Sequence, residues 1–305
     1  MDRRQFLLTA VSAGVAGAAP KSPLIDTHIH LFGDDQKRFP YHTNAVYRAE
    51  PSPVESYVKF AKEAKLDHTI VVHPEPYQDD HRYLEYCFAN EHIPGFFKGT
   101  CLFDPIAKDT PDRMAELVQK NPKRIVALRI HTNRAQGVAP TKKGPIRDRD
   151  LKHPAVKTTI QKAQDLGLAI EMHCIPLHAP EIAALARDFP KTPFIIDHLA
   201  RAGQGTPEQY ENVLAMGKLG NVYMKFSGVR YSSKQDAPYR DAKPLVRRVY
   251  DAFGSNHMMW GGLGASMPEF RLAQMVFNEL LDFAPEKDKA QIRGLTATQL
   301  FGWNS

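Results

Sequence analysis

The chain has 305 residues, a formal net charge of +6 and three cysteines. Hydrophobic residues make up 43% and charged residues 24%, a composition typical of a globular protein with a large apolar core. The basic excess is not gathered into a patch, so we expect no nucleic-acid partner. Cys87, Cys101 and Cys174 lack the spacing of a metal-binding motif.

The first eighteen residues predict a signal peptide of the twin-arginine type. Arg3 and Arg4 precede an apolar stretch and the small-residue motif Ala16-Gly17-Ala18, which is the order of a charged region, an apolar region and a cleavage site. We therefore expect residues 19–305 to form one mature domain that is exported to the periplasm. No later stretch approaches the roughly eighteen apolar residues of a membrane helix, so the mature chain should have no membrane span.

Short apolar runs then alternate with longer amphipathic segments. Eight runs have strand length and composition: 24–31, 66–73, 96–103, 125–131, 168–174, 194–199, 222–228 and 258–262. Seven predicted helices lie between them, at 53–65, 79–93, 111–121, 154–166, 179–189, 207–218 and 242–253. This alternation predicts a single-domain (β/α)8 barrel. An open doubly wound sheet is the rival, but no glycine-rich phosphate loop follows the first strand.

The first strand carries the most specific motif, Asp26-Thr27-His28-Ile29-His30. Because strand side chains alternate between faces, Asp26, His28 and His30 should point the same way. Two imidazoles side by side form half of a divalent metal site. The alternative is a hydrogen-bonded structural pair, but the position at the end of strand one of a barrel favours the metal.

Other strands also end in titratable side chains. Strand four ends with Arg129 and His131, strand five with Glu171 and His173, strand six with Asp197 and His198, and strand seven carries Lys225. Barrel active sites lie at the carboxyl ends of the strands. So many polar groups there are difficult to explain by stability alone and predict a reaction centre.

With these residues in place, the chain resembles the amidohydrolase-related branch of the amidohydrolase superfamily, in which lactonases and non-oxidative decarboxylases occur. The resemblance rests on LIDTHIHLF, IIDHLAR, VYMKFSG and LTATQLFGW. It implies that His28, His30 and His173 bind one divalent metal, with Zn favoured over Mn. It also implies that His198 binds the metal or activates the bound group. Arg129 and Arg201 match positions that hold a substrate carboxylate or carbonyl, and Lys225 is a further candidate for orienting an anionic substrate.

The chain departs from this family after strand eight. The family usually has a catalytic Asp there, and this sequence has Leu263 within Trp260-Gly261-Gly262-Leu263. Three explanations stay open. Another base acts, with Glu171, His131 and His198 as the candidates; the reaction needs no water activated in that way; or catalysis is lost and only binding is kept.

Three functions follow from the sequence. The first is metal-dependent hydrolysis of a small, carboxylated lactone or cyclic ester; the second is decarboxylation of an unsaturated or aromatic acid; the third is ligand binding without turnover. Some lactonase relatives use the same histidines without a metal, so a weakly bound or absent ion stays an alternative. The expected partner is a small-molecule substrate, and the sequence leaves a homo-oligomer open.

Overall fold

The computed structural model describes residues 22–303, and the predicted signal peptide lies outside them. The strands are β1 Ile25–Ile29, β2 His68–Val72, β3 Phe97–Leu102, β4 Ile125–Thr132, β5 Ala169–Cys174, β6 Phe194–Ile196, β7 Val222–Phe226 and β8 Met258–Trp260. All are parallel and pair in chain order. The predicted (β/α)8 barrel is therefore confirmed.

Helices follow the first seven strands as the sequence predicts, and the helices after β8 were not predicted. The helices are α1 Val54–Ala64, α2 Arg82–Ala89, α3 Thr110–Lys120, α4 Pro154–Asp165, α5 Ala179–Asp188, α6 Pro207–Ala215, α7 Lys243–Phe253, α8 Met267–Leu280, α9 Glu286–Ala290 and α10 Thr296–Phe301. Gly167 and Gly254, which follow α4 and α7, have φ of +71° and +70°, where glycine avoids a Cβ clash. None of the helices within residues 22–303 is both long and apolar enough to cross a membrane.

The lower interior of the barrel is apolar. We call this cluster the floor; it contains Ile25, Ile70, Val72, Val126, Ala127, Ala169, Ile195 and Met259, together with Ala297, Phe301 and Trp303 from the last turns of the chain. The indole N–H of Trp303 donates to the carbonyl of Gly95 at 3.0 Å, and its ring stacks on His68 with centroids 4.8 Å apart. The C-terminal segment thus closes the end of the barrel opposite the predicted reaction centre.

Strand β1 is irregular, which corrects the expected direction of Asp26. Between Asp26 and Ile29, β1 contains one more residue than β2 opposite it, as in a β-bulge. The Asp26 carboxylate accepts backbone N–H groups of His28 at 2.9 Å and Gly262 at 2.8 Å. It therefore joins β1 to the segment after β8 and does not share the face of the two imidazoles.

Two long loops lie above the carboxyl ends of the strands. Residues 32–52 are closed at their base by an antiparallel bridge between Phe32 and Ser52. Residues 132–153 are held from inside by the buried Arg149, which donates to Asp104 at 2.9 Å and to the carbonyl of Pro145 at 3.0 Å. Such internal bonding gives the second loop a fixed shape.

Candidate active site

Five imidazoles form a continuous arc at the carboxyl ends of the strands. They belong to His28, His30, His131, His173 and His198. Ring centroids are 5.0 Å apart for His28 and His30, 4.5 Å for His28 and His198, 5.4 Å for His173 and His198, and 5.0 Å for His131 and His173. The structure thus brings together every histidine that the sequence singled out for metal binding or catalysis.

A buried ion network lies next to this arc. Its members are Arg129 on β4, Glu171 on β5, Asp197 directly after β6 and Lys225 on β7. Lys225 Nζ donates to Glu171 Oε2 at 2.6 Å and lies 3.3 Å from Asp197 Oδ1. Arg129 donates to Asp197 Oδ2 from Nε and Nη2, at 3.1 and 2.9 Å, and its Nε lies 3.3 Å from Glu171 Oε1. Two cations and two carboxylates balance, which lowers the large penalty of burying each charge alone.

The network bears on three roles predicted from the sequence. Arg129 and Lys225 are expected to hold substrate, yet both are buried and paired with carboxylates. Glu171 is expected to act as a base, and burial, followed by the charge of Asp197, raises its pKa to about 7. Burial alone would raise the pKa of Asp197 as well, but the charges of its cationic neighbours outweigh this and hold it well below 3.8. Asp197 is therefore the more acidic of the two carboxyl groups, and the three predicted roles stay predictions.

The imidazoles are neutral at pH 7. Burial is the largest cause and lowers the pKa of all five, to about 3 for His30 and His198. The charge of Lys225 lowers the pKa of His28 and His30 further, and the charge of Arg129 also lowers that of His30. Neutral imidazole is the form that binds divalent metals, so the environment of the arc favours metal binding over protonation.

The pair on β1 fits a metal ion. His30 Nδ1 lies 2.8 Å from the carbonyl oxygen of Val72, which can only accept, so Nδ1 carries the proton and Nε2 has a free lone pair. His28 Nδ1 faces both the Asp197 carboxylate, at 3.4 Å, and the Lys225 ammonium, at 3.3 Å, which together hold the ring in place. The two Nε2 atoms are 3.4 Å apart, about the separation of two nitrogens bound to one tetrahedral ion at 2.0–2.1 Å.

His198 is a third histidine close to this pair. The atoms of His28, Asp197 and His198 that could bind a metal all lie within 4.8 Å of one another. Ser227 Oγ bonds to His198 Nδ1 at 2.8 Å, which leaves Nε2 free. Gly228 has φ +55°, and a Cβ there would lie 2.8 Å from His198 Nδ1, so only glycine leaves room for the ring.

A left-handed turn follows β6. His198, Leu199, Ala200 and Arg201 have φ of 55°, 53°, 54° and 51°, a conformation that costs about 1–2 kcal/mol for each L-residue. Backbone strain of this kind persists where the surrounding structure requires it, and it concentrates at functional sites. The turn places the His198 ring and the Arg201 guanidinium at the same opening.

His173 faces Arg201. Arg201 Nη1 lies 3.4 Å from His173 Nε2, so in this conformation a guanidinium stands at the predicted metal-binding nitrogen. His173 Nδ1 is buried without a partner in the described part of the chain. The Arg201 guanidinium also stacks on Tyr231, with Cζ 4.5 Å from the ring centroid. Within residues 22–303 no carboxylate pairs with Arg201, which leaves its charge for a ligand.

The segment after β8 approaches β1 closely. The backbone N–H of Leu263 donates to the carbonyl of His28 at 3.1 Å, and a Cβ at Gly261 would lie 2.7 Å from His28 Cβ. Leu263 has φ +60°. The position where the resemblance implies an acid therefore stands beside the reaction centre, with an apolar side chain in a strained conformation.

The sequence does not predict the contact of Tyr231 with Arg201 or the pairing of Asp197 with its neighbours. Tyr231 follows strand seven and stacks on Arg201, but an isolated aromatic residue in a loop gives no specific signal. Asp197 was noted only as a polar strand end, although it contacts a histidine, an arginine and a lysine. Such pairings join residues as far as 197 positions apart and cannot be derived from local spacing.

Comparison with known proteins agrees with this geometry. The chain matches the family model described as amidohydrolase over residues 25–303. It is 25% identical to 4-sulfomuconolactone hydrolase of Hydrogenophaga intermedia over 290 residues, which are 91% of this chain and 88% of the relative. It is 27% identical to L-fucono-1,5-lactonase of Burkholderia ambifaria, covering 82% and 81% of the two chains.

Solved structures share the fold. A probable 2-pyrone-4,6-dicarboxylic acid hydrolase from Acinetobacter baumannii superposes with a TM-score of 0.74 at 18% identity, covering 92% of this chain and 99% of the other. An amidohydrolase from Burkholderia multivorans with bound zinc gives 0.70 at 14% identity, covering 92% and 100%. The family match spans nearly all of the described residues, and the chain belongs to the amidohydrolase family.

Proposed function

We propose that the protein hydrolyses a small lactone that carries an acidic group. The observation that carries this proposal is the arc of neutral imidazoles beside Arg201, a guanidinium without a carboxylate partner in the described residues. Guanidinium is suited to binding a carboxylate through two parallel hydrogen bonds. The two curated relatives are named as a lactone hydrolase and a lactonase, which supports the same chemistry.

The relatives favour hydrolysis over the two alternatives. The sequence leaves decarboxylation and binding without turnover open, because Leu263 stands where the family usually has an acid. Both curated relatives carry names of lactone-opening enzymes. All five histidines that the sequence predicts for metal binding or catalysis lie in the arc. We therefore propose hydrolysis alone.

For the metal, we propose His28 and His30 as ligands, with His198 or the predicted His173 as the third, and Zn ahead of Mn. When bound, such an ion supplies polarisation of the lactone carbonyl and a water of lowered pKa. The protein orients this pair through the carbonyl of Val72 and the carboxylate of Asp197. Partners of this kind fix the tautomer of a histidine ligand and raise its basicity.

The remaining residues orient substrate and handle protons. Arg201 would hold the acidic group beside His173. The three predicted bases differ in what already binds them: Glu171 accepts from Lys225 and His198 bonds to Ser227. His131 Nε2 is buried and has no partner within the described residues. His198 also has a free Nε2, but we propose that atom for the metal, so His131 is the predicted base whose ring nitrogen is left for water or substrate.

The first experiment measures metal content and lactone turnover together. Purified protein should contain close to one Zn or Mn per chain and should open carboxylated lactones. His28→Ala should lose the metal and lower kcat/KM by roughly a thousandfold or more, because the ion supplies most of the carbonyl polarisation. His257→Ala is the matched control, since His257 packs on Tyr223 away from the arc and its loss should change neither quantity. Full turnover in metal-free protein would overturn the proposed role of the ion.

A further inference from the structure

Tyr231 lies beside the imidazole arc, in the short 3-10 turn Val229–Ser232 that follows β7. Its ring contacts two components of the candidate site. The Arg201 guanidinium has its Cζ 4.5 Å from the ring centroid, and the centroid of the His198 imidazole lies 5.6 Å away. Arg201 is the residue proposed to hold the acidic group of the substrate, so the contact that fixes its guanidinium bears directly on ligand binding.

The guanidinium of Arg201 has few other polar contacts. Its Nε is buried and has no hydrogen-bond partner among residues 22–303, and its Nη1 lies 3.4 Å from His173 Nε2. Burial is the largest cause that lowers the pKa of Arg201, and the charges of Arg147 and Arg230 lower it further. These like charges repel the guanidinium, and an arginine side chain has many rotamers to choose from. Its position therefore depends on a contact that attracts it.

Tyr231 supplies this contact, because a cation over the face of an aromatic ring is attracted to it. The ring is itself well fixed. Its hydroxyl accepts a hydrogen bond from Arg230 Nη2 at 2.8 Å, and its backbone N–H donates to the carbonyl of Gly228 at 3.0 Å. A Cβ at Gly203 would lie 2.6 Å from the carbonyl oxygen of Tyr231, so the turn after β6 packs directly on the turn after β7. The guanidinium thus rests on a rigid surface.

We propose that Tyr231 is a positioning residue, which holds the Arg201 guanidinium beside His173 and thereby sets the preference for acidic over neutral lactones. This inference rests on the proposed lactone hydrolysis. A preorganised guanidinium binds a carboxylate without first losing rotamer freedom. Loss of the ring should therefore weaken binding of the acid and leave the chemical step unchanged.

The test compares two substrates of nearly the same shape, a γ-butyrolactone that carries a carboxylate and the same lactone with a carboxamide. The native protein should favour the acid in kcat/KM about tenfold or more, because hydrogen bonds between charged groups are the stronger ones. Tyr231→Leu should lower this ratio about three- to tenfold. The loss should come from a higher KM for the acid, with kcat and the values for the amide changed less than about twofold.

Three further variants separate positioning from other effects. Tyr231→Phe keeps the ring and should retain most of the preference. Phe283→Leu is the matched control, since it removes the ring of another arginine stack, with Arg247 Cζ at 4.8 Å, on the outer helices. It should leave the ratio unchanged. Arg201→Met should abolish the preference, and adding Tyr231→Leu to it should have no further effect, because the ring acts through Arg201.

Several results would overturn the proposal. One is a native protein without any preference for the acid, in turnover or in binding. Another is a Tyr231→Leu variant that keeps the native preference, or that lowers kcat/KM equally for both lactones, since an equal loss indicates a structural role. A loss from Tyr231→Leu that persists undiminished in the Arg201→Met protein would mean that the ring contacts the ligand itself.

If neither lactone is opened, the proposed function fails, and calorimetry with the same two compounds decides the role of Tyr231. The native protein should then bind the acid with a lower Kd than the amide. In Tyr231→Leu the Kd of the acid should rise about three- to tenfold, and that of the amide should stay constant. If Tyr231→Leu does not fold, Tyr231→Met takes its place, because it also removes the aromatic face and keeps an apolar side chain.

Discussion

The two ends of this barrel are built from the same strands, but one end buries hydrocarbon and the other buries charged side chains. At the floor, Ala169 and Ile195 belong to an apolar cluster. Glu171, two positions after Ala169 on β5, is buried beside Lys225. Asp197, directly after β6, is buried beside Arg129. One strand thus changes from hydrocarbon to buried charge within about 7 Å of rise.

The difference separates stability from function. An apolar floor stabilises the fold by removing hydrocarbon from water. A buried ion network rarely does so, because well-packed apolar residues of similar volume are often as stabilising or better. The network is therefore best explained by what it supports, the orientation of His28 and the charge balance beneath the imidazoles.

Removing one cation of the network should have the largest effect on stability. Lys225→Met leaves Arg129 as the only cation for two buried carboxylates, and the free energy of unfolding should fall by about 3–5 kcal/mol. The double variant K225M/E171Q restores charge balance and should recover much of this loss. Urea denaturation measures both variants.

A change at the floor provides the contrast. Ile195→Val removes one buried methylene and should lower the free energy of unfolding by only about 0.5–1.5 kcal/mol. It should leave metal content and kcat/KM unchanged. If Ile195→Val also lowers activity at full metal content, the separation between the two ends is wrong.

Placing an acid after β8 should raise activity. Leu263→Asp introduces a carboxylate beside His28, and a positioned base should increase kcat/KM for a small lactone about tenfold or more. The free energy of unfolding should change by less than about 1 kcal/mol, since Asp tolerates the left-handed region better than Leu.

Leu263→Asn is the control for that gain. Asparagine has nearly the same shape and backbone tolerance but cannot accept a proton from water as a carboxylate does. An equal gain in the Asn variant would show that relief of backbone strain, rather than a new base, raises the rate.

A small, pH-dependent effect is expected at the floor end, where Glu91 is bound by Arg124 at 2.5 and 2.7 Å and by the N–H of Gly95 at 2.8 Å. Burial alone would raise the pKa of Glu91, but these hydrogen bonds and the Arg124 charge outweigh it and lower the pKa below 4.5. Since the folded pKa is lowered, the stabilisation is present above pH 4.5 and is lost as the pH falls through the folded pKa. Glu91→Gln should therefore be less stable by about 1 kcal/mol at pH 7.

The gap in unfolding free energy between native protein and Glu91→Gln should narrow as the pH falls below 4.5. Urea denaturation at pH 3.5, 5 and 7 measures it, and thermal unfolding gives an independent check. A gap of constant size across this range would mean that glutamine disturbs packing rather than charge.

The strands and the histidines could be predicted because their signals are local. Runs 125–131 and 168–174 begin as continuous apolar sequence and alternate only near their ends. That alternation places Arg129, His131, Glu171 and His173 on one face, as the pairing of β4 with β5 shows. The same rule gave the wrong direction for Asp26, because a bulge adds one residue to β1. Nothing in five residues of sequence distinguishes a bulged strand from a regular one.

The turn after β6 and the ion network were beyond sequence reasoning for another reason. Four successive residues from His198 to Arg201 adopt left-handed φ without a glycine among them, against their intrinsic preference. Only contacts made by the rest of the molecule stabilise such a turn. Likewise, whether Lys225 binds substrate or Glu171 depends on distances between strands that the linear sequence does not specify.

The way the floor is closed has a consequence for synthesis on the ribosome. Trp303 bonds to Gly95 and stacks on His68, and Gly294 lies so close to the start of β1 that a Cβ there would be 2.0 Å from the carbonyl of Pro23. These contacts join residues made first to residues made after all eight strands. The nascent chain therefore leaves its apolar floor exposed to solvent until these residues emerge, and exposed apolar surface of this kind is what makes folding intermediates prone to aggregate.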